Sequence, residues 1–429
     1  MSRAQGGPVS SSFRRVLSVP EFRVLFLAEI LSVLALVAVQ ITLSVLIFER
    51  TGSPLLSALA FALGFLPQLV GASLLSSVAD RFPARRVMVI AQLVSGAVMA
   101  CMAVPGTPAW VMLALLVVSG TVAPVYSGAR SAAIAAVLDR DGFPLGRSLL
   151  RMAAQTAQIA GFSFGGVLML AASPAAALLV AAALMAVSGL LVGMGTRARP
   201  GREVAGGLVG SSWGGVREAF RLPRLRAVFL LTWVPASLFV WSEALAAPLA
   251  AGMGGGPMLV AMLLTAGPVG TVAGELLAGA LLTAEQRRRW MLPLACATFV
   301  PSLLFLLNPG PVLAVGALVV GALGYGYTLA LDALLLEATP EEMRGRVFSV
   351  ASAGLMITQG AGFALAGAVA EFVPPHLAVA LAGMGGLVAV AVFGRRTRPA
   401  HGRRSPRCGR PSGYWRCRRS RRPRRGPGG

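Results

Sequence analysis

The chain has 429 residues, 56% of them hydrophobic and only 13% charged, with a mean hydropathy of +0.76. A water-soluble globule cannot hide that much apolar surface, so the solvent is lipid. The formal net charge of +22 would suggest nucleic acid, but 14 arginines and no acid lie between Arg395 and Gly429, so the tail supplies most of the excess.

In chain order, residues 1–19 carry Arg3, Arg14 and Arg15 ahead of a long apolar run without a clear small-residue cleavage site. This predicts a cytoplasmic N-terminus and a retained first helix, not a removed signal peptide. A helix rising about 1.5 Å per residue needs roughly 20 apolar residues to cross a hydrocarbon core about 30 Å thick. On that criterion twelve spans are predicted: 22–46, 55–78, 87–104, 109–132, 148–170, 174–195, 226–250, 257–282, 290–307, 312–335, 347–370 and 376–394. The runs do not alternate with a period of two, which excludes a barrel. Of the four cysteines, Cys101 and Cys296 fall inside apolar runs and Cys408 and Cys417 in the tail, so neither a disulfide framework nor a zinc site is expected.

The connections fall into two alternating sets. One carries Arg81, Arg85 and Arg86, then Arg140, Arg147 and Arg151, then Arg197 to Arg226, Arg287 to Arg289, and Arg344 with Arg346. The other is short and nearly uncharged, apart from Glu49 and Arg50. The asymmetry places the arginine-bearing loops, both termini and the tail in the cytoplasm of a bacterial cell, with the chain in its inner (plasma) membrane.

Segments about 200 residues apart match in order. Pro20-Glu21-Phe22-Arg23 is answered by Pro223-Arg224-Leu225-Arg226, Arg85-Arg86 by Arg288-Arg289, Tyr126 by Tyr327, and Gln158, Gly161, Phe162 and Gly166 by Gln359, Gly362, Phe363 and Gly367, all at offsets of 201 to 203. A series of this kind predicts a duplication. The expected organisation is therefore an all-α membrane protein of two pseudo-symmetric six-helix bundles, 20–195 and 223–394, joined by a cytoplasmic linker, 196–222, and followed by an arginine-rich tail, 395–429. Two such halves leave a seam in which a solute can be exposed first to one side and then to the other.

A charged side chain at membrane depth costs several kcal/mol and needs a reason. Glu29 in the first span, Glu243 in the seventh and Glu275 in the eighth are such residues, whereas Asp332 and Glu337 end the tenth and are expected to be wet. Desolvation favours the protonated form of a buried carboxyl, so it can load a proton on one side and release it where water reaches it from the other. Glu243, with Glu29 behind it, is the choice for proton coupling; the bland alternative is that each acid bonds a neighbouring group or lines a wet cavity. Polar lining is otherwise sparse: Gln40 and Thr42, Gln155 and Gln158, Gln359, with Trp233 and Trp241. Such a cavity suits an amphipathic or lipophilic solute better than a sugar, whose hydroxyls would each need a partner.

Between the second and third spans, Ser76 to Arg86 resembles the loop signature G-x-L-x-D-R-x-G-R-R of the major facilitator superfamily, with Asp80, Arg81, Arg85 and Arg86 matching and Ser76, Pro83 and Ala84 departing from it. In the second half Gly279 matches but Thr283 replaces the aspartate. The resemblance implies that Asp80, with Arg81 and Arg85, forms a conformational latch on the cytoplasmic side, with Arg130 as a partner; a solvated loop obeying the positive-inside rule is the plain alternative. Gly161, Gly165 and Gly166 look like the G-P-x-x-G-G element of drug exporters without its proline, and ordinary helix packing is the favoured reading of them. Thr339 to Arg346, Phe22 to Phe26 and Glu49 to Gly52 are similar to the macrolide-efflux and siderophore-export branch. Thr339 and Pro340 also read locally as the N-cap and first position of a short helix.

The resemblance covers residues 20–394 and implies a proton-coupled exporter of small amphipathic compounds. Its rivals are a facilitator-type importer or uniporter, a membrane-embedded enzyme and a non-transporting scaffold. With only His376 and His401 and no phosphate-binding loop, no catalytic constellation is visible. No cofactor is expected beyond the proton gradient, and the partners are a small-molecule substrate, protons and lipid, with the chain a monomer. The tail is expected to lie on anionic headgroups or to have no role, with nucleic acid the less favoured partner.

Overall fold

The computed structural model describes residues 15–74, 82–139, 142–197, 199, 223–339 and 344–397. Among these the chain is helical throughout. The helices are α1 (Pro20–Thr51), α2 (Pro54–Phe65, continued as Pro67–Leu74), α3 (Ala84–Met102), α4 (Ala109–Val137), α5 (Gly142–Ala171) and α6 (Pro174–Gly195) in the first half. The second half has α7 (Pro223–Phe239, Trp241–Ala244 and Ala246–Gly252), α8 (Pro257–Leu281), α9 (Ala284–Phe299 with the 3₁₀ turn Pro301–Leu307), α10 (Pro311–Leu323, Gly324–Tyr327 and Thr328–Ala338), α11 (Arg344–Ala370) and α12 (Pro375–Thr397).

Proline marks several helix starts, because its missing N–H is unpaired there in any case: Pro20, Pro54, Pro174, Pro257 and Pro311 each open a helix. Side-chain caps finish others. Ser53 and Ser173 accept the Leu56 and Ala176 amides, and Thr283 forms a capping box with Gln286 at the start of α9. Interior prolines break the ladder. α7 is interrupted at Val240 and Leu245, the latter at the turn that Pro248 deprives of a backbone donor.

Ten of the helices are long and apolar enough to cross a membrane. The other two are α2, whose clearly apolar stretch is Pro54–Gln68, and α5, whose first turns carry Arg147 and Arg151. Several helices run past the predicted apolar windows, α1 to Thr51 and α9 back to Ala284, since hydrogen bonding continues where hydropathy falls away. Thr339 follows α10 as its C-cap, and its hydroxyl donates to the Leu335 carbonyl. The short helix expected at 340–343 lies outside the described residues, as do residues 398–429.

The hydrophobic cores show how the two halves join. Two clusters lie toward the face where α1 begins and α12 ends, and each belongs to one half. One contains Phe22, Leu25, Met88, Ile134 and Leu150, the other Phe229, Met291, Tyr327, Leu334 and Val347. Toward the opposite face a single cluster spans both halves, with Val37, Phe61 and Phe162 packed among Trp241, Leu263 and Phe363. The seam is thus closed at the face away from the start of α1, and the two clusters at the other face each stay within one half.

Closure there uses two helix pairs that the duplication makes equivalent. A Cβ on Gly166 of α5 would overlap Ala261 of α8, and one on Gly367 of α11 would overlap Ala58 of α2. Within each half the same repetition holds, with Gly71 against the Thr121 carbonyl and Gly274 against that of Leu323. At these contacts only glycine lets the backbones meet.

Candidate transport site

On the first half, α1 and α4 bring Glu29 and Arg130 together as an ion pair whose side chains are 11% and 18% exposed. The Arg130 guanidinium also lies 5.4 Å from the centre of the Tyr126 ring. One turn further along α1 a polar cluster ties three helices. Gln92 of α3 donates to Ser32 and Ser188, 2.7 Å for the latter, and Ser188 of α6 donates to the Ala28 carbonyl at 3.0 Å. The Tyr126 hydroxyl lies beside this cluster without a bond of good geometry. Arg130, expected beside Asp80, is thus held by Glu29. Asp80 and Arg81 lie outside the described residues, and Arg85 is half-buried at the start of α3.

The second half holds Glu243 differently. It sits in the four-residue segment between the two interruptions of α7, so its carboxyl is aimed by broken backbone rather than by a regular helix. Oε1 lies 3.3 Å from where a Gly267 Cβ would stand, and the Phe239 ring 3.8 Å from the same point. Phe239 in turn tilts against Tyr325 of α10, with ring centres 4.9 Å apart. Among the described residues neither a cation nor a hydrogen-bond donor pairs with Glu243. Glu275 by contrast accepts from the Thr328 hydroxyl at 3.3 Å, with Asp332 and Arg151 within Coulomb range. Asp332 and Glu337 are exposed, and Glu337 pairs with Arg288 at 3.2 Å.

The remaining sequence candidates divide. Gln40, Gln155, Gln158 and Gln359 are half-buried, and their amides make no hydrogen bond among the described residues. They stand on α1, α5 and α11, helices of the seam. Trp233 is committed elsewhere: its indole N–H donates to the Ala351 carbonyl of α11 at 2.9 Å and its ring stacks on Phe229. Gly161 and Gly165 seat α5 on Val37 and Ile41 of α1, and Gly166 seats it on α8, so all three make close helix contacts. Among the described residues no group of acids, cysteines or histidines is arranged to hold a metal ion.

Two features escaped the sequence. Phe363 of α11 is sandwiched between Phe61 and Phe65 of α2, with ring centres at 5.3 and 5.5 Å; the (i, i+4) spacing of the two α2 phenylalanines was the available signal. The second is the buried indole N–H of Trp241, which has no hydrogen-bond partner among the described residues; Trp241 also lines a small pocket with Ser242, Thr298 and Ser302.

Twelve helices in two equivalent halves, with a seam between them, are the architecture of one transporter family, and its sequence profile, the Major Facilitator Superfamily, matches residues 25–254 and 244–424. The chain belongs to the Major Facilitator Superfamily. It is a transporter of that type, and its solved relatives resemble it in fold. The nucleoside transporter NupG aligns with a TM-score of 0.69 at 15% identity, over 88% of this chain and 100% of its own. A bacterial homologue of the iron transporter ferroportin, in an inward-facing state, gives 0.63 at 16%, over 88% and 99%. A bacterial homologue of the lysosomal transporter Spinster, inward-facing and unoccupied, gives 0.60 at 14%, over 91% and 95%. These likenesses to facilitator proteins carry fold alone. No curated protein matches the chain by sequence.

Proposed function

We propose that the protein is a proton-coupled exporter of small amphipathic compounds, working by alternating access. The observation that carries this reading is Glu243, a carboxyl inside the membrane span Leu225–Ala244 with no countercharge or donor among the described residues. An intramembrane acid without a structural partner is a functional residue by default. Protonated, it is neutral and at home beside Phe239 and Gly267; when water reaches it from the cytoplasm it ionises and releases the proton.

Positive-inside asymmetry puts the arginine-bearing face in the cytoplasm of a bacterial inner membrane. The observed arrangement, closed at the far face, is then the inward-facing state that loads substrate from the cell. Asp80 with Arg81 and Arg85 is the inner latch that closes in the opposite state. Glu29 is the second coupling candidate and Glu275 the third; each already has a partner that ionisation satisfies. The Gln40, Gln155, Gln158 and Gln359 amides, set among apolar and aromatic side chains, would hold the few polar groups of an amphipathic solute while apolar contact supplies most of the affinity.

The test is accumulation of lipophilic cations, macrolides and siderophores in inverted vesicles. Uptake that requires an inside-acid gradient and collapses with a protonophore supports export. Accumulation only in right-side-out vesicles would make the protein an importer, and uptake indifferent to the gradient would remove proton coupling.

A further inference from the structure

The two equivalent helix pairs that close the seam are chemically unlike. Gly367 on α11 corresponds to Gly166 on α5, yet four residues on, the first is followed by Glu371 and the second by Leu170. Ser53 is the N-cap of α2, while the corresponding N-cap of α8 is Gly256, which has no side chain to offer. Glu371 uses this difference. Its Oε1 accepts from the Ser53 hydroxyl and from the Leu55 backbone N–H, the latter at 3.0 Å. The carboxylate therefore sits on the N-terminal end of α2, where unpaired N–H groups and the helix dipole favour an anion.

These two hydrogen bonds join residues 318 and 316 positions apart in sequence, and they cross from one half to the other. Glu371 lies just beyond the span Val350–Ala370 and is exposed, at the rim. Two turns deeper on the same helix pair lies the Phe61–Phe363–Phe65 stack. Apolar packing closes the seam at both pairs; among the described residues the polar tie is on α2 and α11.

We infer that Glu371 is the latch of the outer gate, holding α11 to the start of α2 while that face is closed and releasing it when the face opens. This rests on the alternating-access reading but not on proton coupling, export or substrate. Full-length protein in lipid nanodiscs, its native cysteines changed to serine, would carry spin labels through Pro105→Cys, in the α3–α4 connection, and Leu307→Cys, at the end of the 3₁₀ turn of α9, on that face in opposite halves. Their distance distribution separates closed from open populations.

Glu371→Ala is expected to raise the open-to-closed ratio roughly three- to tenfold, the range for losing a charge-assisted contact at an exposed rim. Glu371→Gln should raise it less. Ser53→Ala, which keeps the carboxylate and the Leu55 bond, should also move it in that direction, and Glu337→Gln on the other face should not. If both distances are populated and the Glu371 variants, eluting like the parent protein, leave the ratio within twofold, the latch is refuted while alternating access stands. A single short distance in every sample, with and without transported solutes, would remove alternating access and the latch with it.

Discussion

Arg130 of α4 is ion-paired with Glu29 of α1 inside the first half, and both side chains are less than one-fifth exposed. Removing one partner leaves the other charged and largely desolvated, which costs about 3 kcal/mol. Glu29→Ala or Arg130→Ala should therefore lower the melting temperature in detergent markedly. The double variant Glu29→Gln/Arg130→Met should recover much of the loss. A double variant as unstable as the sum of the singles would show that the two residues do not act as a pair.

Gly166 and Gly367 make the same contact in the two halves, so alanine at either should have the same effect. The added methyl overlaps Ala261 or Ala58, an overpacking cost of about 1–3 kcal/mol borne only by the arrangement closed at that face. The open-to-closed ratio read from the label pair Pro105→Cys and Leu307→Cys should rise in Gly166→Ala and Gly367→Ala alike. A rise in one and not the other would argue against equivalent seats.

Much of this architecture was legible in the sequence. Apolar length gave the helices, and the offset of 201 to 203 residues gave the duplication that reappears as paired glycine contacts. What escaped was tertiary. Arg130 carries no mark that it would meet Glu29, because a charge near a helix end pairs with whatever packing brings within reach. Glu371 reads as an ordinary loop acid, since the α2 terminus it caps is more than 300 positions away. Trp233, polar-tipped and within a span, reads as a cavity residue, but its N–H is spent on the Ala351 carbonyl. Helix ends were missed by a few residues, because a helix stays hydrogen-bonded past the point where its side chains stop being apolar.

Trp233→Phe tests that last reassignment. It keeps the stack on Phe229 and loses one hydrogen bond to a backbone carbonyl, worth about 1 kcal/mol. The variant should melt a few degrees lower and transport with unchanged apparent affinity. A several-fold change in affinity at unaltered stability would return Trp233 to the cavity wall.

The central claim is that an unpaired carboxyl on a broken segment of α7 carries the proton. The direct measurement compares wild-type protein with Glu243→Gln and Glu243→Asp in inverted vesicles, following gradient-driven accumulation and, separately, exchange of labelled for unlabelled solute with no gradient. Glu243→Gln should abolish accumulation and retain exchange, and Glu243→Asp should keep part of both. Accumulation by Glu243→Gln equal to wild type, under the same proton gradient, would contradict the account.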